Sequence, residues 1–329
     1  MDTYGFYAKA AAQDAKPDLA SGASGYFSAP AATLDPNLFD GDHLKSEVRA
    51  HIMVNLYDYL ERMRFNEVDS WLHVWLAGSG ITYQWDADRG NGDLDVLFGI
   101  SFSKFSQANP GFAYLGEADF AAELNEGMKN GLWPKTAHTR FGKQDYEVTY
   151  FLNPGTGSDI TQNLNPYAAY SLTTDSWTVK PPDVPQDPRS QFPAEWFDVA
   201  ARDTQAARNI VSRYKELTNN LNAAETGSAA WHTSGADLQR IVAQASSMFD
   251  DIHSGRRAAF SPQGHGYADW NNFRWQSAKQ SGAVQALHAI TTVGVQARQD
   301  EERQLYGAPI DGAEVILRRA AEAHNKEWN

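Results

Sequence analysis

Residues 71–98 read WLHVWLAGSGITYQWDADRGNGDLDVLF, and the rest of the chain takes its meaning from them. Trp71 to Leu76 is a short apolar run bounded by Gly78-Ser79-Gly80. That pattern predicts a buried strand ending in a tight turn. Thirteen residues separate Ser79 from Asp93-Leu94-Asp95, which opens a second apolar strand over Leu94–Phe102. Side chains alternate along a strand, so Asp93 and Asp95 share a face. Two carboxylates that close resist joint ionisation unless cations neutralise them. Mg2+ takes oxygen ligands and keeps positions open for phosphate. The Gly-Ser turn beside the acids offers backbone N–H groups and a hydroxyl to phosphate oxygens.

A third carboxylate is expected from an adjacent strand. Tyr146–Leu152, after a turn around Gly142, supplies Glu147 with apolar neighbours. Asp145 lies two residues away on the same face, but Glu147 sits deeper in the strand and is the better candidate. Asp86 and Asp88 fall in a loop rich in Gly and Asn and read as solvated acids. Arg140 and Lys143 precede the third strand, where they either meet phosphate or remain surface charges. Tyr167–Leu172 predicts a fourth strand, followed by Trp177-Thr178-Val179.

Upstream, Val48, Ile52, Leu56, Leu60 and Met63 form one helical stripe between Leu44 and Phe65, with Asp42 as the expected N-cap. Residues 1–33 hold one Leu and no Ile or Val, a poor core former. They predict a loose arm whose aromatics, Tyr4, Phe6, Tyr7, Tyr26 and Phe27, can anchor to a surface. Downstream, residues 180–193 carry five prolines in fourteen positions and mark a linker. Beyond it the periodicity is helical. One stripe runs from Phe197 to Leu221 and another from Leu238 to Ile252. A third includes Phe273, Ala283, Val284, Leu287 and Ile290, in a segment spanning Asp269 to about Glu302. Ala313–His324 predicts a last helix. The expected organisation is an arm (1–33), an α+β catalytic domain with a mixed sheet (34–183) and a C-terminal helical domain (184–329).

Composition bounds the chemistry. With 329 residues and 42% hydrophobic content, the chain can bury a sizeable core. It has no cysteine, which excludes disulfides, thiolate metal sites and thiol catalysis. The nine histidines show no zinc-ligand spacing. No apolar run approaches the ~18 residues of a membrane span, and the N-terminus lacks the charge and apolar pattern of a secretory signal. A cytoplasmic location is therefore expected. Of the net charge of −13, residues 1–183 carry −11 (13 Lys and Arg against 24 Asp and Glu). An acidic half without a basic stripe disfavours extended duplex binding.

Gly78-Ser79 followed by Asp93-Leu94-Asp95, with a later acid on another strand, resembles the DNA polymerase β-type nucleotidyltransferase superfamily. More narrowly, the chain resembles a family of predicted nucleotidyltransferases encoded by bacteriophages. The matching stretches are Leu34–Asp40 running into Leu44–Arg49, Gly78–Val96, Tyr146–Val148, Tyr170–Leu172 with Trp177 and Lys180-Pro181, and Asn272–Arg274 with Lys279–Gly282. Together they cover roughly residues 34–290. The resemblance implies a polymerase β-like mixed sheet with flanking helices and a helical domain after it. It implies transfer of a nucleoside monophosphate from a triphosphate, ATP among the candidates, to a hydroxyl, with release of pyrophosphate. Two Mg2+ ions, or Mn2+, are implied on Asp93, Asp95 and Glu147. The nucleotide-binding set comprises Gly78, Ser79, Gly80, Arg274 and Lys279. The acceptor is open among an RNA end, a protein hydroxyl and a small molecule, and the location is the host cytoplasm if the chain is phage-encoded. The alternative is a non-catalytic binding or virion-associated structural protein that retains this fold.

Overall fold

The computed structural model describes residues 3–13, 17–19, 25–85, 92–112 and 114–307. The acids Asp86 and Asp88 and the helix expected over Ala313–His324 lie outside them. In chain order the elements are α1 (Thr3–Gln13), β1 (Phe39–Asp40), β2 (His43–Leu44), α2 (Ser46–Arg62), α3 (Val68–Trp71), β3 (Leu72–Ala77) and β4 (Gly92–Ile100). Then follow α4 (Phe102–Ala108), α5 (Glu117–Gly131), α6 (Trp133–Thr136), β5 (Thr139–Phe141), β6 (Gln144–Leu152), β7 (Ala169–Ser171) and β8 (Ser176–Val179). Four helices complete the described chain: α7 (Ala194–Ala223), α8 (Ala229–Ala259), α9 (Trp270–Gln280) and α10 (Ala283–Tyr306). The class is mixed α+β. No helix among the described residues is long and apolar enough to cross a membrane.

The chain divides into two compact units. The sheet unit takes residues 25–191 and 260–267. Its six strands run in the order β5-β6-β4-β3-β7-β8. β3 pairs antiparallel with both β4 and β7, whereas β4 and β6 run parallel. A parallel neighbour requires a crossover, and α4, α5 and α6 lie in the connection between β4 and β6. β4 and β6 alternate as a half-buried sheet requires, whereas the central β3 is buried on both faces. Val74 and Leu76, Leu94, Val96 and Phe98, and Tyr146, Val148 and Tyr150 point into one core with Ile52 and Leu56 of α2 and Phe120 and Leu124 of α5. The opposite face carries a smaller cluster of Trp75, Ala77, Ile160 and Ala169.

The segment Leu34–Asp40 pins this sheet. Buried Asp35 accepts from the Asn37 backbone N–H at 2.9 Å and from the Tyr146 hydroxyl at 2.5 Å. Asn37 Oδ1 in turn accepts from Lys143 N–H in the β5–β6 turn. Gly142 in that turn has φ +57°, and a methyl group there would come within 2.6 Å of the Asn37 oxygen. One short loop thus fixes the hairpin that carries Glu147. Tyr146→Phe removes a donor from a buried carboxylate and should destabilise the sheet unit by about 1–3 kcal/mol, read from urea unfolding. The pH dependence has a defined sign. Burial, then Asp35, raises the Tyr146 phenol above its ordinary value, and burial raises Tyr57 and Tyr150 in the same sense. An unfolded tyrosine ionises near about pH 10. Stability from these groups is therefore complete below that pH and lost as the pH rises past it, so urea midpoints should fall between pH 9 and 11.

The helical unit takes the described residues up to 19 with 192–259 and 268–307. Here the expectation of a loose arm is corrected. Residues 3–13 form α1, whose Phe6 and Ala10 are buried in the core built by α7, α8, α9 and α10. Gly235 of α8 admits the Tyr4 ring, which would sit 2.6 Å from any methyl group there. Lys9 bonds Asp300 at 2.7 Å, and Thr3 donates to Glu301. Alanine and three aromatics provide enough apolar surface for docking without Ile or Val. Residues from Gly25 onward belong instead with the sheet. The segment expected to run from Asp269 to Glu302 is two helices. Asp269 caps the first by accepting from Asn271 N–H, and Gly282 at φ +75° breaks the chain before α10. Asp42 does not cap α2. It occupies the β1–β2 turn, and the N-cap is Lys45, with no side-chain cap bond.

Candidate active site

Leu94 and Val96 are fully buried in the core, so Asp93 and Asp95 project from the other face of β4. The parallel register pairs Asp93 with Glu147 and Asp95 with Thr149. On the other side Asp95 is registered with Ala77, the last residue of β3. All three predicted acids therefore lie on one sheet face, on neighbouring strands, and Glu147 rather than Asp145 is the residue opposite Asp93. Asp145 pairs with Arg140 at 3.8 Å across the β5–β6 hairpin.

The turn after β3 is pressed against these acids. Gly78 has φ +91°, a conformation that favours glycine. A methyl group at Gly78 would come within 2.8 Å of Asp95 Oδ2, and one at Gly80 within 2.5 Å of the Asp93 carbonyl oxygen. Both glycines are thus required by close approach, and the exposed Ser79 between them sits beside the Asp-x-Asp strand. The Gly78 N–H is already committed, donating to Ala168 O at 3.3 Å. Gly78 thus shapes the turn and keeps no free N–H to offer.

Asp95 and Glu147 each accept a side-chain hydrogen bond. Thr149 donates to Asp95 Oδ1 at 3.1 Å. Trp133 Nε1 donates to Glu147 Oε1 at 2.8 Å. Trp133 was not singled out from the sequence. As placed, no three His, Asp or Glu side chains among the described residues converge closely enough to hold one cation. The backbone juxtaposes the predicted trio, but the side-chain oxygens do not close around a common point.

The two predicted basic residues belong to the helical unit. Arg274 of α9 donates from Nε to Asp203 and from Nη1 to Asp251, both at 2.6 Å. These bonds raise its pKa against the opposing effect of burial. Its charge joins α7, α8 and α9, a structural use that the resemblance does not imply. Arg274→Ala should cost about 1.5–3 kcal/mol in urea unfolding, since two carboxylates lose a charged donor. Lys279 is half-buried in the last turn of α9, where a cation suits the helix dipole. Two other residues of the stretches that carry the resemblance have structural partners. Trp177 stacks on Phe39 at 5.6 Å and donates to Asp42 O, and Arg49 donates to Leu172 O.

No family model, no curated protein and no solved structure matches the chain.

Proposed function

We propose that the protein is a Mg2+-dependent nucleotidyltransferase with a polymerase β-like catalytic sheet. The observation that carries the reading is the Gly78-Ser79-Gly80 turn packed against Asp93 and Asp95, with Glu147 in register on the adjoining parallel strand. The donor set fits a hard cation: all three side chains present anionic oxygens, and Ala77 and the turn glycines keep bulk away from Asp95. Asp93 and Asp95 would hold the ion that meets the triphosphate, with Glu147 completing the set. Bound Mg2+ would neutralise phosphate charge and lower the pKa of the attacking hydroxyl.

The chain's own residues supply the rest. Ser79 offers its hydroxyl to the terminal phosphates, and the turn fixes where they lie. Thr149 orients Asp95 so that Oδ2 stays on the side of the Gly78 turn. The acceptor oxygen forms a bond to the α-phosphorus as the bond to the bridging oxygen of the β-phosphate breaks. The hydroxyl proton leaves to solvent, and pyrophosphate departs. Arg274 is left out of the phosphate set because Asp203 and Asp251 hold it. An aromatic arm free to meet a partner would favour the non-catalytic alternative, but Tyr4, Phe6 and Tyr7 belong to α1 and pack in the helical core.

The test is incubation of the full chain with each α-labelled nucleoside triphosphate, Mg2+ and a bacterial lysate. Label in RNA, in protein or in a metabolite supports transfer and identifies the acceptor class. No transfer with any of the four triphosphates would leave the non-catalytic alternative standing.

A further inference from the structure

The chain holds two Asp-Pro bonds, Asp35-Pro36 and Asp187-Pro188, and their carboxyl groups are held very differently. The nitrogen of a proline carries no hydrogen, so it cannot close on the preceding Asp side chain as an ordinary amide does. The side chain can instead reach its own carbonyl carbon through a five-membered ring, with the proline nitrogen as the leaving group. At Asp35 that path is blocked. Its carboxylate is buried and accepts from Asn37 N–H and from the Tyr146 hydroxyl. Asp187 is exposed. Its Oδ1 accepts from Arg189 N–H at 3.1 Å, and its Oδ2 has no partner among the described residues. The Asp187 carbonyl oxygen accepts from the Ser190 hydroxyl at 2.6 Å and from Ser190 N–H at 3.2 Å. Two donors thus polarise the carbonyl and stand where negative charge would develop on attack. The Asp35 carbonyl also accepts two N–H bonds, from Leu38 and Phe39, so the freedom of the carboxyl group is what separates the two sites. Buried Pro188 opens the 3₁₀ turn Pro188–Gln191 and fixes the far side of the bond.

We propose that Asp187-Pro188 is a self-cleavage site, at which the Asp187 carboxyl group severs its own peptide bond. A carboxyl oxygen bonds to the Asp187 carbonyl carbon as the C–N bond to Pro188 breaks, and the carboxyl proton passes to the Pro188 nitrogen. Water then opens the cyclic anhydride, leaving a C-terminal Asp187 and an N-terminal Pro188. Because the acid form carries the proton that the nitrogen needs, the reaction belongs to mild acid. The neighbouring ionisable groups are few. Arg189 lies over the Phe27 ring at 5.3 Å, Tyr26 belongs to the packed segment Gly25–Phe27, and Tyr267 accepts from Gln191; both tyrosines are neutral in acid. The bond falls shortly before Phe192, where the helical unit resumes. Each unit would keep pieces of both fragments. α1 of the first fragment is buried in the helical core. Residues 260–267 of the second belong to the sheet unit, where Tyr26 donates to Tyr267 O at 2.6 Å and Asn165 N–H to Phe260 O at 2.8 Å. The nick would therefore change the covalent chain without dispersing the fold. None of this depends on nucleotidyl transfer.

The experiment incubates the full chain at about pH 4.5, within reach of the carboxyl range, with and without denaturing urea. Circular dichroism follows the fold, and denaturing gels with intact mass spectrometry follow the fragments. The folded chain should yield 1–187 and 188–329 roughly tenfold faster than the urea-unfolded chain does, since folding holds the reacting groups together. The folded chain should also favour this bond over Asp35-Pro36. Asp187→Ala should leave the bond intact. Ser190→Ala should slow cleavage roughly three- to tenfold, the span of one hydrogen bond. A folded chain that stays whole at Asp187-Pro188, or is cut there no faster than the unfolded one, would overturn the proposal.

Discussion

Asp93→Asn should reduce nucleotidyl transfer to about one per cent of wild type or less, with the fold unharmed. The reasoning is local. The substitution replaces one anionic oxygen with an amide nitrogen of the same shape. Its neighbours Leu94 and Val96 keep their packing on the opposite face of β4. What is lost is charge at the position registered with Glu147 and next to the Gly80 turn. Removing one preorganised electrostatic partner from an active site commonly costs about a hundred- to a thousandfold. The thermal midpoint should hold or rise, because the two acids of the Asp-x-Asp pair no longer repel each other. Label transfer with the best triphosphate, alongside a melting curve, checks both halves. Wild-type transfer in Asp93→Asn would strike this residue from the mechanism.

The largest stability loss is expected at Phe105. It is fully buried, with its ring 4.4 Å from Phe120, 5.2 Å from Trp71 and 5.6 Å from Phe65. Phe105→Ala would leave a cavity walled by three aromatics that are themselves anchored on α5, α3 and the loop after α2. Such sites relax poorly, and the cost should be about 3–5 kcal/mol. For a unit of this size that lowers the melting point by roughly 6–20 °C. Phe105 follows the far end of β4, and Asp93 and Ile100 are separated by seven residues, roughly 23 Å of extended strand. Below the new midpoint, transfer should therefore survive in Phe105→Ala. The two variants dissociate stability from chemistry in opposite directions.

Much of the sheet could be read from residue order because its strands are short, apolar and bounded by glycine. Trp71–Leu76, Leu94–Phe102 and Tyr146–Leu152 each gave a strand shifted by no more than two residues. The shared face of Asp93 and Asp95 follows from alternation alone, and Glu147 was preferred over Asp145 on depth. Whether the third acid would stand opposite Asp93 was not legible. That depends on a parallel register set across more than fifty residues of chain. α5 went unnoticed although Phe120, Ala121, Leu124 and Met128 hold helical spacing. Two of its core-facing positions are Ala121 and Gly127, which give a faint apolar signal. Gly282 hid inside a continuous stripe because one left-handed residue interrupts a helix without disturbing the periodicity on either side. The bond from Trp133 to Glu147 was not legible either, since no pattern of residue types announces a single hydrogen bond. Arg274 differs again: the resemblance implies a phosphate contact, and no pattern in the sequence announces its bonds to Asp203 of α7 and Asp251 of α8.

The bonds from Lys9 to Asp300 and from Thr3 to Glu301 carry a consequence for biosynthesis. α1 is synthesised ahead of the α8 and α10 surfaces on which it docks, and Asp300 of α10 is translated 291 positions after Lys9. At ordinary elongation rates that is a delay of roughly 15–60 s. Throughout it, Phe6 and Ala10 have no finished surface to bury against, while the strands translated in the interval can already pair. The sheet unit can thus close before the helical unit, and α1 waits in solvent for a chaperone or for α10 to arrive.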